Sequence, residues 1–241
     1  MKGLLKASTL VLVLSILFSC QKERVQDNEY NTLGTAAKQI LSSTPYTTLV
    51  VDINYMPGFE PSASTLTELS IFLNTYLHKP GGITIRKNVV TSAGKDRITL
   101  DDLVKLERAH RATYTYGSTI TVHILLTDAA FTEEDVFATS YWNTSFCLFG
   151  KTIAENSGGA GQVSRQRLVS TLLQHEFGHL LGLVDQGSPM LEEHRDDDNG
   201  AHCSNPSCLM FYGIETNAAA ATNTPVLDAA CRADLKANGG K

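Results

Sequence analysis

Residues 168–183, LVSTLLQHEFGHLLGL, set His175, Glu176 and His179 in a His-Glu-x-x-His spacing inside an apolar run of helical period. Positions four apart share a helix face, so a helix here turns both imidazoles toward one point, where a single zinc ion fits. Glu176 then stands beside the open coordination position of that ion, placed to take a proton from a zinc-bound water, which is the chemistry of a metalloprotease. The plain alternative is a buried amphipathic helix whose histidines satisfy each other and nearby backbone. The surroundings favour the metal: Leu168, Leu172, Leu173, Phe177, Leu180 and Leu181 fill the apolar positions, and Gly182 falls where a helix ends in the left-handed conformation.

From Gly182 onward the chain resembles the metzincin clan of zinc peptidases, in which the helix stops at this glycine and the chain turns back with a third ligand. Further on, His202, Cys203, Cys208 and Met210 stand in a pattern similar to the His-Cys-x4-Cys-x-Met of archaemetzincins. That resemblance implies that His202 completes the catalytic site, that the cysteines bind a second zinc, and that Met210 forms the turn beneath the first. Archaemetzincins carry a Cys-x-x-Cys pair after seventeen more residues, a register that here falls on Asp228 and Cys231. Two positions depart from the family: Asp228 replaces a cysteine, and Asp185 holds the usual third-ligand position, six after His179. Tyr212 falls where astacin-like metzincins carry a tyrosine near the metal, which implies help with the tetrahedral transition state; a rim tyrosine packing the turn is the alternative. The likeness spans roughly Ser164 to Leu235.

Two assignments stay open at this level. Snapalysin-like metzincins use an aspartate where Asp185 stands, whereas His202 keeps the His-Cys pairing of archaemetzincins and lies seventeen residues further on. Longer loops cost little extra closure entropy, and neutral imidazole suits zinc, so His202 is preferred, with His194 a more distant choice. Cys203, Cys208 and Cys231 can surround a structural zinc with Asp228, which shares a helix face with Cys231; the competing arrangement is a Cys203–Cys208 disulfide with Cys231 free or paired to Cys147. The family register favours metal. Cys147, on an expected strand, reads as a small buried hydrophobe.

The opening MKGLLKASTLVLVLSILFSC has lysines ahead of a short apolar run, the form of an export signal. Its Leu-x-Ser-Cys ending resembles the lipobox of bacterial lipoproteins, which implies a signal peptide over residues 1–19, lipidation of Cys20, and a chain anchored to a bacterial membrane on a periplasmic or cell-surface face. Residues 20–43 are polar and read as a flexible tether. The net charge of −5 and the lack of a basic patch argue against nucleic acid as a partner.

Between residues 44 and 182 the patterns alternate. TTLVVDINY from Thr47 reads as a strand, Thr65 and Glu68 cap a helix, GITIRKNVVT is a strand, Thr99 and Asp102 cap a second helix, and TITVHILLTDAAF from Thr119 is a buried strand. This order predicts a mixed α/β upper lobe with a mostly parallel sheet. A helical turn is expected at Thr132–Asp135 and an outer strand over 145–155. The metzincin likeness adds an antiparallel edge strand along a substrate cleft. Residues 183–241 form a small irregular lower lobe, so poor in core residues that it needs a staple. Its acidic stretch at Asp196, Asp197 and Asp198 fits either calcium or plain solvation, while His78, His110 and His123 read as ordinary surface or core residues.

These observations point to a zinc-dependent endopeptidase acting on peptide or protein, with Glu176 as general base, a catalytic zinc and a second structural one. The rival of another class is a non-catalytic surface lipoprotein that binds peptides or a partner protein; an intact Glu176 argues against it, because binding needs no base.

Overall fold

The computed structural model describes residues 29–219, 221 and 224–241. The expected signal peptide and Cys20 lie outside them. Glu29 is already buried, and α1 (Ala37–Leu41) packs Ala37, Ile40 and Leu41 into the core. Residues 29–43, expected as part of the tether, therefore belong to the folded body. The apolar segment there is five residues long in its helical part, too short for a period to emerge from sequence.

β1 (Thr48–Tyr55) has six consecutive buried residues, the mark of a strand covered on both faces. α2 (Ala63–Tyr76) crosses to β2 (Ile83–Val89), which pairs parallel with β1. β3 (Arg97–Ile98) and α3 (Leu100–His110) lead to β4 (Thr119–Thr127), parallel to β1 on its other side. β5 (Ala130–Phe131) joins β3 in a small second sheet. β6 (Ala138–Trp142) and β7 (Ser145–Phe149) form a hairpin in which β7 lies parallel to β4 and β6 is the antiparallel edge, giving the order β2-β1-β4-β7-β6. α4 (Gly150–Glu155) and α5 (Arg165–Leu180) follow, and the chain is then irregular until α6 (Ala229–Ala237). The fold is thus mixed α/β with a mostly parallel sheet and an antiparallel edge strand, as expected. Among the described residues no helix is long and apolar enough to cross a membrane.

Three local expectations need correction. α2 is capped one turn earlier, by the Ser62 side chain accepting from the Thr65 N–H, and Glu68 instead accepts a hydrogen bond from Gln166 of α5 at 2.7 Å. Two cap-competent residues three apart compete, and the earlier one adds a turn of helix. Thr132–Asp135 is a turn, with Asp135 at φ 59°, outside the right-handed helical region. Within 145–155 only Ser145–Phe149 is strand, and it is interior, with all five residues buried. The chain turns at Gly150, where a Cβ would stand 2.4 Å from the Thr127 carbonyl oxygen. The edge role falls to β6, whose residues are all half-buried and so show no alternation of polar and apolar. The capping box of α3, by contrast, is present in both directions between Thr99 and Asp102.

The start of the described chain is held by charge. Arg111 donates to Glu29 Oε2 at 2.8 Å and to Glu107 Oε1 at 2.7 Å, with all three side chains at most 1% exposed. The Ser145 and Thr144 hydroxyls and the Thr121 and Thr113 carbonyls also accept from the guanidinium. Removing the cation strands two carboxylates in the core, so Arg111→Met should cost about 3–5 kcal/mol. A fall in the urea midpoint of unfolding checks this; an unchanged midpoint would show that the network contributes nothing.

Candidate metal centres and the adjoining cleft

α5 starts at Ser164, whose side chain accepts from the Arg167 N–H, and is buried over nearly its whole length from Leu168 to Leu180. It lies against β6 and β7 on one side and α2 on another. Gly182 ends it in the left-handed region at φ 76°, and a Cβ there would come within 2.5 Å of the Ser188 nitrogen. A side chain is excluded by both backbone angle and space, which is the physical content of the glycine in the pattern.

At the C-terminal half of α5, the side-chain nitrogens of His175, His179 and His202 lie within 4.8 Å of one another. His175 Nδ1 is 2.7 Å from the Leu209 carbonyl and His202 Nδ1 is 2.7 Å from the Asn199 carbonyl. A carbonyl only accepts, so each Nδ1 carries the proton and each Nε2 presents a lone pair. His175 Nε2 and His179 Nε2 stand 3.2 Å apart. Burial lowers the His175 pKa to about 4 and that of His179 well below the ordinary value, so both rings are neutral donors at physiological pH. Three imidazoles converging on one point fit a zinc ion.

Asp185 is not in this group. It sits just past the helix at φ 64°, half-exposed, with Arg195 3.6 Å away. The sixteen residues between it and His202 form a loop, the last part of which folds back so that residues 194–196 pair with 202–204 as a short ladder: Asp196 N–H bonds to the His202 carbonyl at 2.8 Å and Ser204 N–H to the His194 carbonyl at 2.9 Å. The acidic stretch is engaged locally: Arg195 bonds Asp197, and Asp196 accepts from Asp198 N–H and Asn199.

The three histidines line a cleft of about 400 Å³ together with Glu176, Tyr212 and the edge strand β6. Glu176 is buried, and burial pushes its carboxyl up to about 7, against the opposing pull of a Ser140 hydrogen bond. Tyr212 stands at the rim, about half exposed. Met210 is fully buried below, and its Sδ lies against Gly178, where an added Cβ would come within 2.2 Å. Gly178, between the two helical histidines, thus makes room for the methionine. Ser140 was missed by sequence reasoning, because nothing marked its strand; so was the reason for Gly178.

A second group lies behind Cys203. The ligand atoms of Cys203, Cys208, Asp228 and Cys231 all fall within 4.8 Å of one another. Cys203 Sγ is 3.3 Å from Asp228 Oδ2, and the Sγ atoms of Cys208 and Cys231 are 3.6 Å apart, well beyond a bonded pair. Asp228 also caps α6, its Oδ1 accepting from the Cys231 N–H at 2.9 Å. The hydrogen bond from Cys231 draws the Cys208 thiol down to about 6, and the N–H groups of Asp228 and Met210 also point at its sulfur. Three sulfurs and one carboxylate oxygen at this spacing match a tetrahedral zinc site. His194, 4.0 Å from Cys231 Sγ and held by buried Asp234 at 2.7 Å, stands at the edge of this group and away from the histidine cluster. Cys147 is buried in the smaller core cluster with Met56 and Phe149, so the structure keeps it with apolar neighbours. His123 is buried in β4, its pKa lowered to about 3 by burial.

No model of a known protein family matches the sequence, and no curated protein matches it. Among solved structures, the archaemetzincin of Methanopyrus kandleri is similar at a TM-score of 0.53 and 14% identity, over 80% of this chain and 96% of that one. The metalloproteinase-II of Bacteroides fragilis is matched at a TM-score of 0.46 and 16% identity, over 82% of this chain and 54% of that one. The first similarity shows that this chain has the fold of archaemetzincin.

Proposed function

We propose that this protein is a zinc-dependent endopeptidase of metzincin type. The observation that carries the reading is the convergence of His175, His179 and His202 beside a buried Glu176 in an open cleft. The archaemetzincin fold supports it. His175, His179 and His202 would hold a zinc ion, which would supply Lewis-acid polarisation of the scissile carbonyl and lower the pKa of a water toward neutrality. Glu176 takes the proton from the attacking water and returns it to the leaving amine. The free edge of β6 offers unpaired N–H and C=O groups to an extended peptide backbone, which aligns the substrate without choosing side chains. Tyr212 at the rim donates to the oxygen on which charge develops.

His202 is the third ligand in this reading, supported by its place in the cluster, while Asp185 pairs with Arg195 outside it. Cys203, Cys208, Asp228 and Cys231 hold a structural zinc. The first nineteen residues serve as an export signal and Cys20 as a lipid anchor to a bacterial membrane, an assignment supported by the opening sequence alone.

The purified chain from about Asn28 should hydrolyse an unfolded protein, and a chelator should stop it. Glu176→Gln should keep its metal while kcat falls by roughly a hundredfold or more. Undiminished hydrolysis by that variant would sink the general-base role, and a chelator-insensitive or inactive wild type would favour a non-catalytic binding protein.

Metal content should be about two zinc ions per chain. His202→Ala should lose one of them and Asp185→Asn neither; the reverse would make Asp185 the ligand. Cys231→Ser should lose the other and destabilise the lower lobe, because metal binding there is folding free energy. Mass spectrometry of unreduced, active protein decides the rival arrangement: a Cys203–Cys208 disulfide would refute the structural zinc.

A further inference from the structure

From the contact between the edge strand and the active-site helix we infer that Ser140 is a positioning residue that fixes the Glu176 carboxylate for its work as general base. The inference rests on the peptidase reading above. Ser140 Oγ donates to Glu176 Oε2 at 2.7 Å and lies 3.3 Å from the Glu176 carbonyl oxygen. A 2.7 Å bond to a carboxylate is of the short, charge-assisted kind. It uses one carboxylate oxygen and leaves Oε1 for the reacting water.

The strand is shaped for this contact. β6 pairs with β7 in register from Ala138 to Ser140, opposite Phe146, and the register then shifts between Ser140 and Trp142. A bulge bends the strand and re-aims the neighbouring side chain. Here the side chain next to the irregularity points at α5 and lines the cleft beside the three histidines. Glutamate has three rotatable bonds, and a carboxylate that swings by an ångström loses its line to the water. Because Ser140 sits on the same strand whose free edge is offered to substrate, one element sets both the peptide backbone and the base that serves it.

A serine that merely satisfies a buried carboxylate would show in stability alone, so the test separates positioning from packing. Zinc-loaded wild type, Ser140→Ala and Ser140→Thr are compared in steady-state kinetics, thermal unfolding and crystal structure. Ser140→Ala should retain its zinc and its KM while kcat falls by roughly tenfold to a hundredfold. Ser140→Thr keeps the hydroxyl on a residue suited to strands and should recover kcat to within about threefold. In the alanine variant's structure the Glu176 carboxylate should leave its wild-type place. Wild-type kcat in Ser140→Ala, failure of Ser140→Thr to recover, or an unmoved Glu176 carboxylate would each overturn the inference. Should the wild type itself show no chelator-sensitive hydrolysis, the peptidase reading fails. The two crystal structures still judge Ser140: a carboxylate displaced in the alanine variant supports positioning, and an unmoved one ends it.

Discussion

The hydrogen bond between His175 Nδ1 and the Leu209 carbonyl, 2.7 Å long, joins a helix rooted in the sheet to a stretch of chain that has no regular structure of its own. It fixes the ring's tautomer, so that Nε2 faces the other two histidines, and it fixes where the lower part of the chain must pass. Met210, one residue on, is then seated against Gly178 on the same helix. A larger residue at 178 would push the methionine away and loosen the carbonyl from His175. The histidine geometry therefore depends on a glycine and a methionine that touch no metal.

The polar contacts of the lower part show why such sparse core can hold. Leu209, Met210, Leu227 and Leu235 are buried there, but so are Cys203, Cys208, Cys231 and Asp234. Asp234 accepts from Leu191 N–H at 2.8 Å and bonds His194 at 2.7 Å, pinning the loop that leaves α5 onto α6. Each of these groups is satisfied by a partner distant in sequence, so the segment is stabilised by cross-links more than by apolar area. The proposed structural zinc belongs to the same scheme, drawing three thiols and the α6 cap residue onto one point.

Much of this was legible in the sequence because the carriers are rigid local patterns. The i, i+4 histidines, the terminating Gly182 and the Thr99–Asp102 box each follow from helix geometry and appear where the pattern puts them. What escaped depends on contacts between distant segments. β6 is half-buried along its whole length, with α5 against it, so its five residues carry no period. Ser140 and its partner Glu176 are thirty-six residues apart. Glu29 reads as one more charge in a polar stretch until Arg111, eighty-two residues away, encloses it. The sequence also offered Asp185 as a ligand, and only the path of the loop put it beside Arg195.

The adjacency of His202 and Cys203 is the point at which the two candidate metal sites become one mechanical object. Asp196 N–H bonds to the His202 carbonyl, Ser204 N–H to the His194 carbonyl, and Cys203 N–H to the Met210 carbonyl at 2.8 Å, so residues 202–204 run extended between two neighbouring segments. Successive side chains of an extended chain point to opposite sides. His202 therefore joins His175 and His179 on one side while Cys203 joins Cys208, Asp228 and Cys231 on the other. A shift of this short ladder by one residue would exchange the two faces and empty both clusters at once. The loop before it can vary in length at small entropic cost, because the ladder, and not the loop, decides where the imidazole arrives.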